Sequence, residues 1–221
     1  MKKILCLMLS LVMLACLISC TPTTAQPQTT DLFNLFDEGR VPATITTMVS
    51  YNYTDAENAD NNVSLSGYYK TETKWDKSIF TYSYERLATI EEQNPSGRIK
   101  KISGKIYRNG DQVSSTGDTF EDGAALPGAA FTLNLKAESF DSYTVAADGK
   151  SYTAKATGAN IKNALGVALS ANAEGVTINV TSNGSVITGM TVSYTTTSGA
   201  SVFIATSYTY NPIDLDWPTG N

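Results

Sequence analysis

Residues 176–210 read VTINVTSNGSVITGMTVSYTTTSGASVFIATSYTY, and this stretch decides the fold class. Val176, Ile178 and Val180 alternate with Thr177, Asn179 and Thr181 as far as Asn183-Gly184. Met190, Val192 and Tyr194 keep the same period up to Ser198-Gly199, and Val202, Ile204, Tyr208 and Tyr210 resume it. Successive side chains of a strand leave opposite faces, so an apolar residue at every second place marks a strand with one buried face. The two glycine dipeptides are hairpin turn signals, so three consecutive antiparallel strands are predicted.

The same period extends upstream. Ile45, Thr47, Val49, Tyr51 and Tyr53 alternate with Thr44, Thr46, Met48, Ser50 and Asn52, while Val63, Leu65, Gly67 and Tyr69 form a second run able to pair with the first across loop 54–62. Phe80, Tyr82 and Tyr84 make a third, and Ile102, Gly104 and Ile106 lead to the turn pair Asn109-Gly110. Glycines, acids and Pro127 predict a loop over 114–130, after which Phe131, Leu133 and Leu135 alternate again. Asp148-Gly149 separates two short strands around Val145 and Tyr152.

Two segments follow a helical period instead. Leu32, Leu35 and Phe36 predict a short helix over 31–39 with Gly39 as its stop, and Ile161, Leu165, Ala168 and Leu169 predict another over about 160–173, weakened by Gly166. The tail 212–221 carries Trp217 and Pro218 and is expected to pack against an edge or trail loosely. The expected fold is mainly β (α+β): a curved antiparallel sheet, half-barrel-like, with one or two short helices packed on one face.

The N-terminus has a different logic. Lys2 and Lys3 precede an apolar run from Ile4 to Ile18 broken by Ser10, the layout of a signal peptide over 1–19. The run is shorter than the roughly twenty residues a helix needs to cross hydrocarbon, so a permanent transmembrane segment is the weaker reading. Leu17-Ile18-Ser19-Cys20 resembles the bacterial lipobox. That resemblance implies a diacylglyceryl thioether on Cys20, cleavage between Ser19 and Cys20, and a lipid (palmitate-type) anchor on the extracytoplasmic side of a membrane. Cys16, preceded by Ala15, is a competing acceptor with a poorer match at Met13. Residues 20–30 form the lipidated cysteine and a tether, since TPTTAQPQTT at 21–30 has no large apolar side chain, and residues 31–221 form one β-rich domain.

Cutting after Ser19 leaves 202 of the 221 residues, enough for one domain with its own core. Losing Lys2 and Lys3 reduces 16 basic residues to 14 against 21 acidic ones, a net charge of −7, so nucleic acid is not an expected partner. All three cysteines lie at or before Cys20, which leaves no disulfide framework.

The chain has no histidine, which removes imidazole-based triads and most zinc sites. Glu85, Glu91, Glu92, Asp118, Glu121 and Asp122 could in principle supply a carboxylate pair, yet nothing in the sequence brings two of them together, and such acids are mostly solvated. Asp55, Glu57 and Asp60 miss the calcium-loop pattern, lacking its sixth-position glycine and its twelfth-position acid. No catalytic residue, metal ligand or cofactor is expected, and the protein is read as a non-enzyme. Tyr51, Tyr53, Tyr68, Tyr69, Tyr82, Tyr84, Tyr107, Tyr194, Tyr208 and Tyr210 fall in predicted strands. Sheet packing with the hydroxyl at the rim is the ordinary account of them, and an aromatic-lined groove the sharper one.

The order of lipobox, tether, short helix, antiparallel meander, helix around GANIKNALG and strands ending MTVSYTTTSGASVFIATSYTY resembles the LolA/LolB-like superfamily and the LppX/LprG lipoproteins. The resemblance implies a half-barrel over helices with an apolar cavity, and a non-catalytic protein that binds or carries a lipid or other apolar ligand. It transfers no binding residue. A monomer is expected, held to the membrane through Cys20. The alternative is an envelope interaction module recognising protein or glycan through exposed tyrosines and threonines; a carboxylate hydrolase is a third, disfavoured reading.

Overall fold

The computed structural model describes residues 41–58, 61–89, 98–117, 140–158, 160 and 173–218, and the backbone of 121–122. They form β1 (Thr44–Tyr53), β2 (Val63–Lys74), β3 (Lys77–Leu87), β4 (Ile99–Asn109), β5 (Gln112–Ser114), β6 (Glu121–Asp122), β7 (Ser142–Val145), β8 (Ser151–Thr157), β9 (Ala173–Ser182), β10 (Ile187–Thr196) and β11 (Ser201–Thr209). All belong to one sheet in the order β6-β5-β4-β3-β2-β1-β11-β10-β9-β8-β7, and every pairing is antiparallel.

The sheet is open among the described residues, with β6 and β7 as its two edges. Neighbouring strands rotate by roughly 20–25°. That rotation accumulates over eleven strands, and a sheet of this width curls instead of lying flat. The chain runs outward from β1 to β6 on one side and returns from β7 to β11 on the other, so the first and last strands meet at the centre: Val49 pairs with Ile204.

Register explains the alternation. Ala154, Ile178, Val192, Ile204, Val49 and Gly67 stand opposite one another in a row across β8, β9, β10, β11, β1 and β2. They point to one face, and that face holds the core: Ile178, Val192 and Ile204 are each 1% exposed, with Tyr152, Ala156, Val176, Val180, Met190 and Val202 buried around them. The other face carries threonine, serine and asparagine. Thr153 Oγ1 donates to Asn179 Oδ1 at 2.8 Å and Asn179 Nδ2 to Thr191 Oγ1 at 3.3 Å, a polar ladder across β8, β9 and β10.

On the core face of β2 and β3 the apolar row becomes aromatic. Tyr69 stacks on Phe80 and Tyr84, and Tyr82 packs between Phe80 and Tyr84, with centroids 5.8–6.2 Å apart. Two glycines make room for these rings. A Cβ on Gly104 would stand 2.5 Å from the Tyr82 hydroxyl, and one on Gly67 2.9 Å from Tyr69 Cε2. Gly104 and Tyr82 are direct cross-strand partners, so the ring lies over backbone that lacks a side chain.

The hairpins follow the turn dipeptides. Gly110 and Gly184 sit at φ of 59° and 93°, the left-handed conformation that glycine adopts without a steric cost. Asn183 Oδ1 accepts from the N–H groups of Ser185 and Val186, both at 3.0 Å, which closes the β9–β10 turn.

Several expectations need correction. β11 stops at Thr209, so Tyr210 lies one place past the strand, and its hydroxyl donates to the Ile187 carbonyl at 3.0 Å. The predicted loop 114–130 contains β6, because Val113 finds a ladder partner in Glu121. Ala173 begins β9, pairing with Thr196, so a helix beginning near Asn160 ends before it. The predicted helix 31–39, the body of the second helix and the run 131–135 lie outside the described residues.

The tail neither covers an edge nor trails. It crosses the polar face of β2, β3 and β4: Lys74 Nζ donates to Asp214 Oδ1 at 2.7 Å, Trp217 meets Tyr107 edge-on at 5.7 Å, and Lys77 Nζ lies 4.8 Å from the Trp217 ring centre. Pro218 fills the space a side chain on Gly117 would need.

Candidate ligand groove

Near the centre of the sheet, on β1, β2 and β11, the alternation places three large apolar side chains in the polar phase of their strands. Met48 on β1, Tyr68 on β2 and Phe203 on β11 are 57%, 38% and 47% exposed. Met48 stands directly opposite Tyr68 on one side and Ala205 on the other, and Phe203 opposite Ser50 in the adjacent row. Together they floor a groove of about 470 Å³ at the centre of the polar face, rimmed by Ser50, Ser66, Ser83, Glu85 and Lys101. That volume lies within the range of small-molecule sites, which are apolar with a few polar groups that orient the ligand. A smaller cleft of about 230 Å³ shares Met48 and Ala205 and runs toward Asn179 and Thr191, where the polar ladder begins.

The groove's geometry depends on a break in the sheet. Backbone pairing of β2 with β3 starts at Lys74 and Lys77 and ends at Gly67 and Tyr84. Past that row, Val63–Ser66 pairs with β1 and Glu85–Leu87 with β4. The two strands part there, and an unpaired amide would be costly. Glu85 fills the gap: its Oε2 accepts from the Ser66 N–H at 2.9 Å and the Ser66 hydroxyl at 2.7 Å.

The hydroxyl bond first, then the amide bond, hold the Glu85 carboxyl below its ordinary 4.5, with a further pull from Lys101. A depressed carboxyl stabilises the fold above its unfolded pKa and loses that contribution as pH falls through its folded value. Stability measured by urea titration on descending from neutral pH through 4.5 and below is expected to fall less steeply in Glu85→Gln than in the parent. Equal slopes would show that the carboxylate does not bridge the strands.

The other acids singled out in the sequence do not join it. Glu121 and Asp122 lie in β6, and Glu91, Glu92, Asp60 and Asp118 are outside the described residues. Asp55 organises its own loop: Asn61 Nδ2 and the N–H groups of Glu57 and Asn58 donate to it, and these bonds lower its pKa in that order. Among the described residues no three of His, Cys, Asp and Glu gather into a metal-holding group. Ser19 and Cys20 lie outside the described residues.

The tyrosines divide by face. Tyr51, Tyr53, Tyr69, Tyr82, Tyr84, Tyr194 and Tyr208 share the core face, as register requires. Burial pushes the Tyr208 hydroxyl up to about 12, with Tyr210 adding to it, and burial also raises Tyr69 and Tyr194. Of the ten, Tyr68 floors the groove, and Tyr84, on the core face, borders it only at the row where β2 parts from β3. Sequence reading missed Met48 and Phe203; the available signal was an apolar residue in the polar phase of an alternating strand.

No family model matches the chain, and no curated protein matches it. Among solved structures it is similar to a LolA superfamily protein from Nitrosomonas europaea at 10% identity, over 86% of this chain and 97% of that one, with a TM-score of 0.29. At that score the likeness assigns no role to any residue of this chain.

Proposed function

We propose that the protein is a membrane-anchored extracytoplasmic lipoprotein that binds an apolar ligand on its sheet without catalysing a reaction. The observation that carries the binding is the groove of about 470 Å³ floored by Met48, Tyr68 and Phe203. Exposing such side chains side by side where their neighbours are serine and threonine gains nothing for folding, and a contiguous apolar patch rimmed by polar groups marks an interaction site. The anchor is supported by the lipobox resemblance around Cys20, and the non-catalytic reading by a chain without histidine.

Native mass spectrometry of the protein purified from cells, followed by organic extraction, tests the binding. A stoichiometric apolar ligand is expected in the parent and is expected to be lost in the double variant Met48→Ser, Phe203→Ser. Both side chains are about half exposed, so the variant keeps its fold. An empty parent protein, or an equally loaded variant, would overturn the assignment of the groove.

One observation favours a second reading, an envelope module recognising glycan. The ladder of Thr153, Asn179 and Thr191 runs toward Ala205, Met48 and Tyr68 in the same register row, which sets hydroxyl and amide groups in line with an exposed aromatic. Binding of an oligosaccharide, in place of an extracted lipid, would select it.

A further inference from the structure

The β2–β3 hairpin turns at Trp75 and Asp76. Trp75 has φ of 58°, the one positive value at a non-glycine among the described residues. A left-handed backbone is disfavoured for any residue with a Cβ, and turns of this kind are ordinarily supplied by glycine or asparagine. Yet the position holds the largest apolar side chain available, and it is 88% exposed. It takes no part in the core. Its ring contact is with Lys74, whose Nζ lies 5.4 Å from the ring centre.

The surroundings of Trp75 point to one kind of occupant. Lys74 and Lys77 flank it in the sequence, the first paired with Asp214 and the second lying over the Trp217 ring, so the group presented at the tip is the indole itself. Val41, 74% exposed, lies at the same end of the sheet, because the Ala43 carbonyl accepts from the Thr73 N–H and Thr44 pairs with Glu72. That end is also where the chain enters β1 from the Cys20 side. An exposed indole at the hairpin tip, with exposed Val41 at the same end of the sheet and the chain leading back from there to Cys20, matches the boundary layer of a bilayer, where tryptophan places its ring among the headgroups.

We infer that the Trp75 hairpin tip docks into the headgroup layer of the membrane that carries the lipid anchor, and so sets the orientation of the sheet on the surface. The inference rests on the anchored reading above but not on the groove. Strain at Trp75 is then retained because the exposed ring has a partner outside the fold.

The two tryptophans of the chain, Trp75 and Trp217, are the reporters. Acylated protein is reconstituted into vesicles of phosphatidylglycerol and phosphatidylcholine whose acyl chains carry bromine, a short-range quencher. Trp217→Phe, which reports Trp75, is expected to lose several-fold more fluorescence than Trp75→Phe, which reports the ring packed on Tyr107.

Equal quenching of the two reporters in vesicle-bound protein would overturn the docking and leave the anchor standing. Acylated protein that fails to sediment with the vesicles would overturn both. Trp75→Gly supplies a second measurement: its urea midpoint is expected to match or exceed that of the parent, and a lower one would make Trp75 a packing residue and end the proposal.

Discussion

Ile178→Ala is expected to cost about 3 kcal/mol of folding stability. Ile178 is 1% exposed on β9, with Val192 opposite it on β10 and Ala154 on β8, and the register row continues through Ile204 and Val49. Truncation removes three carbons from the middle of that row. Strands held in register on both sides cannot close the space, so the cavity cost adds to the lost transfer energy. For a chain of this size the loss corresponds to roughly 6–12 °C in melting temperature. Ile178→Val is expected to cost about 1 kcal/mol, and Thr177→Ala on the opposite face to stay within about 0.5 kcal/mol. Urea unfolding followed by circular dichroism measures all three. An Ile178→Ala loss no larger than that of Thr177→Ala would show that the apolar face is not where the fold is held.

The second large effect concerns the anchor. Cys20→Ser is expected to abolish incorporation of labelled palmitate and to leave the precursor uncut at Ser19, whereas Cys16→Ser is expected to alter neither. Each buried methylene contributes roughly 0.8 kcal/mol, so two or three acyl chains hold a protein where one would exchange readily. Intact mass of the membrane-extracted protein separates the outcomes: the parent should begin at an acylated Cys20. Labelling that survives Cys20→Ser and disappears in Cys16→Ser would move the acceptor to Cys16. Retention of residues 1–19 in an unlabelled parent would restore the transmembrane reading of that segment.

Much of the sheet was legible before any coordinates. Alternation over Val176–Val180, Met190–Tyr194 and Val202–Ile204 is a local property, since two consecutive side chains of a strand cannot both face the core. The turn pairs at 109–110, 148–149, 183–184 and 198–199 are local as well, and all four fall between paired strands. Those short-range features determined the antiparallel meander and the apolar face of β9, β10 and β11, but not the burial of Ile79 on the opposite face. The ends of elements were less legible. Tyr210 and Ala173 were assigned to the wrong side of a boundary because a strand ends where its partner's hydrogen bonds end, which the strand's own residues do not state.

The groove was not legible, for a related reason. Met48 and Phe203 lie far apart in the chain, and each alone is an exposed apolar residue of the kind every surface carries. Pairing of β1 with β11 in the register Val49 to Ile204 sets them in adjacent rows beside Tyr68, and the parting of β2 from β3 at Gly67 opens the floor that Glu85 and Ser66 border. The sequence by itself determined the strands, their apolar face and the candidate anchor at Cys20, because periodicity, turn chemistry and the lipobox are written within a few residues of each other. Only the tertiary structure decided which exposed side chains stand together, because neighbours across a sheet are chosen by long-range register and strand order, and no short stretch of chain contains them.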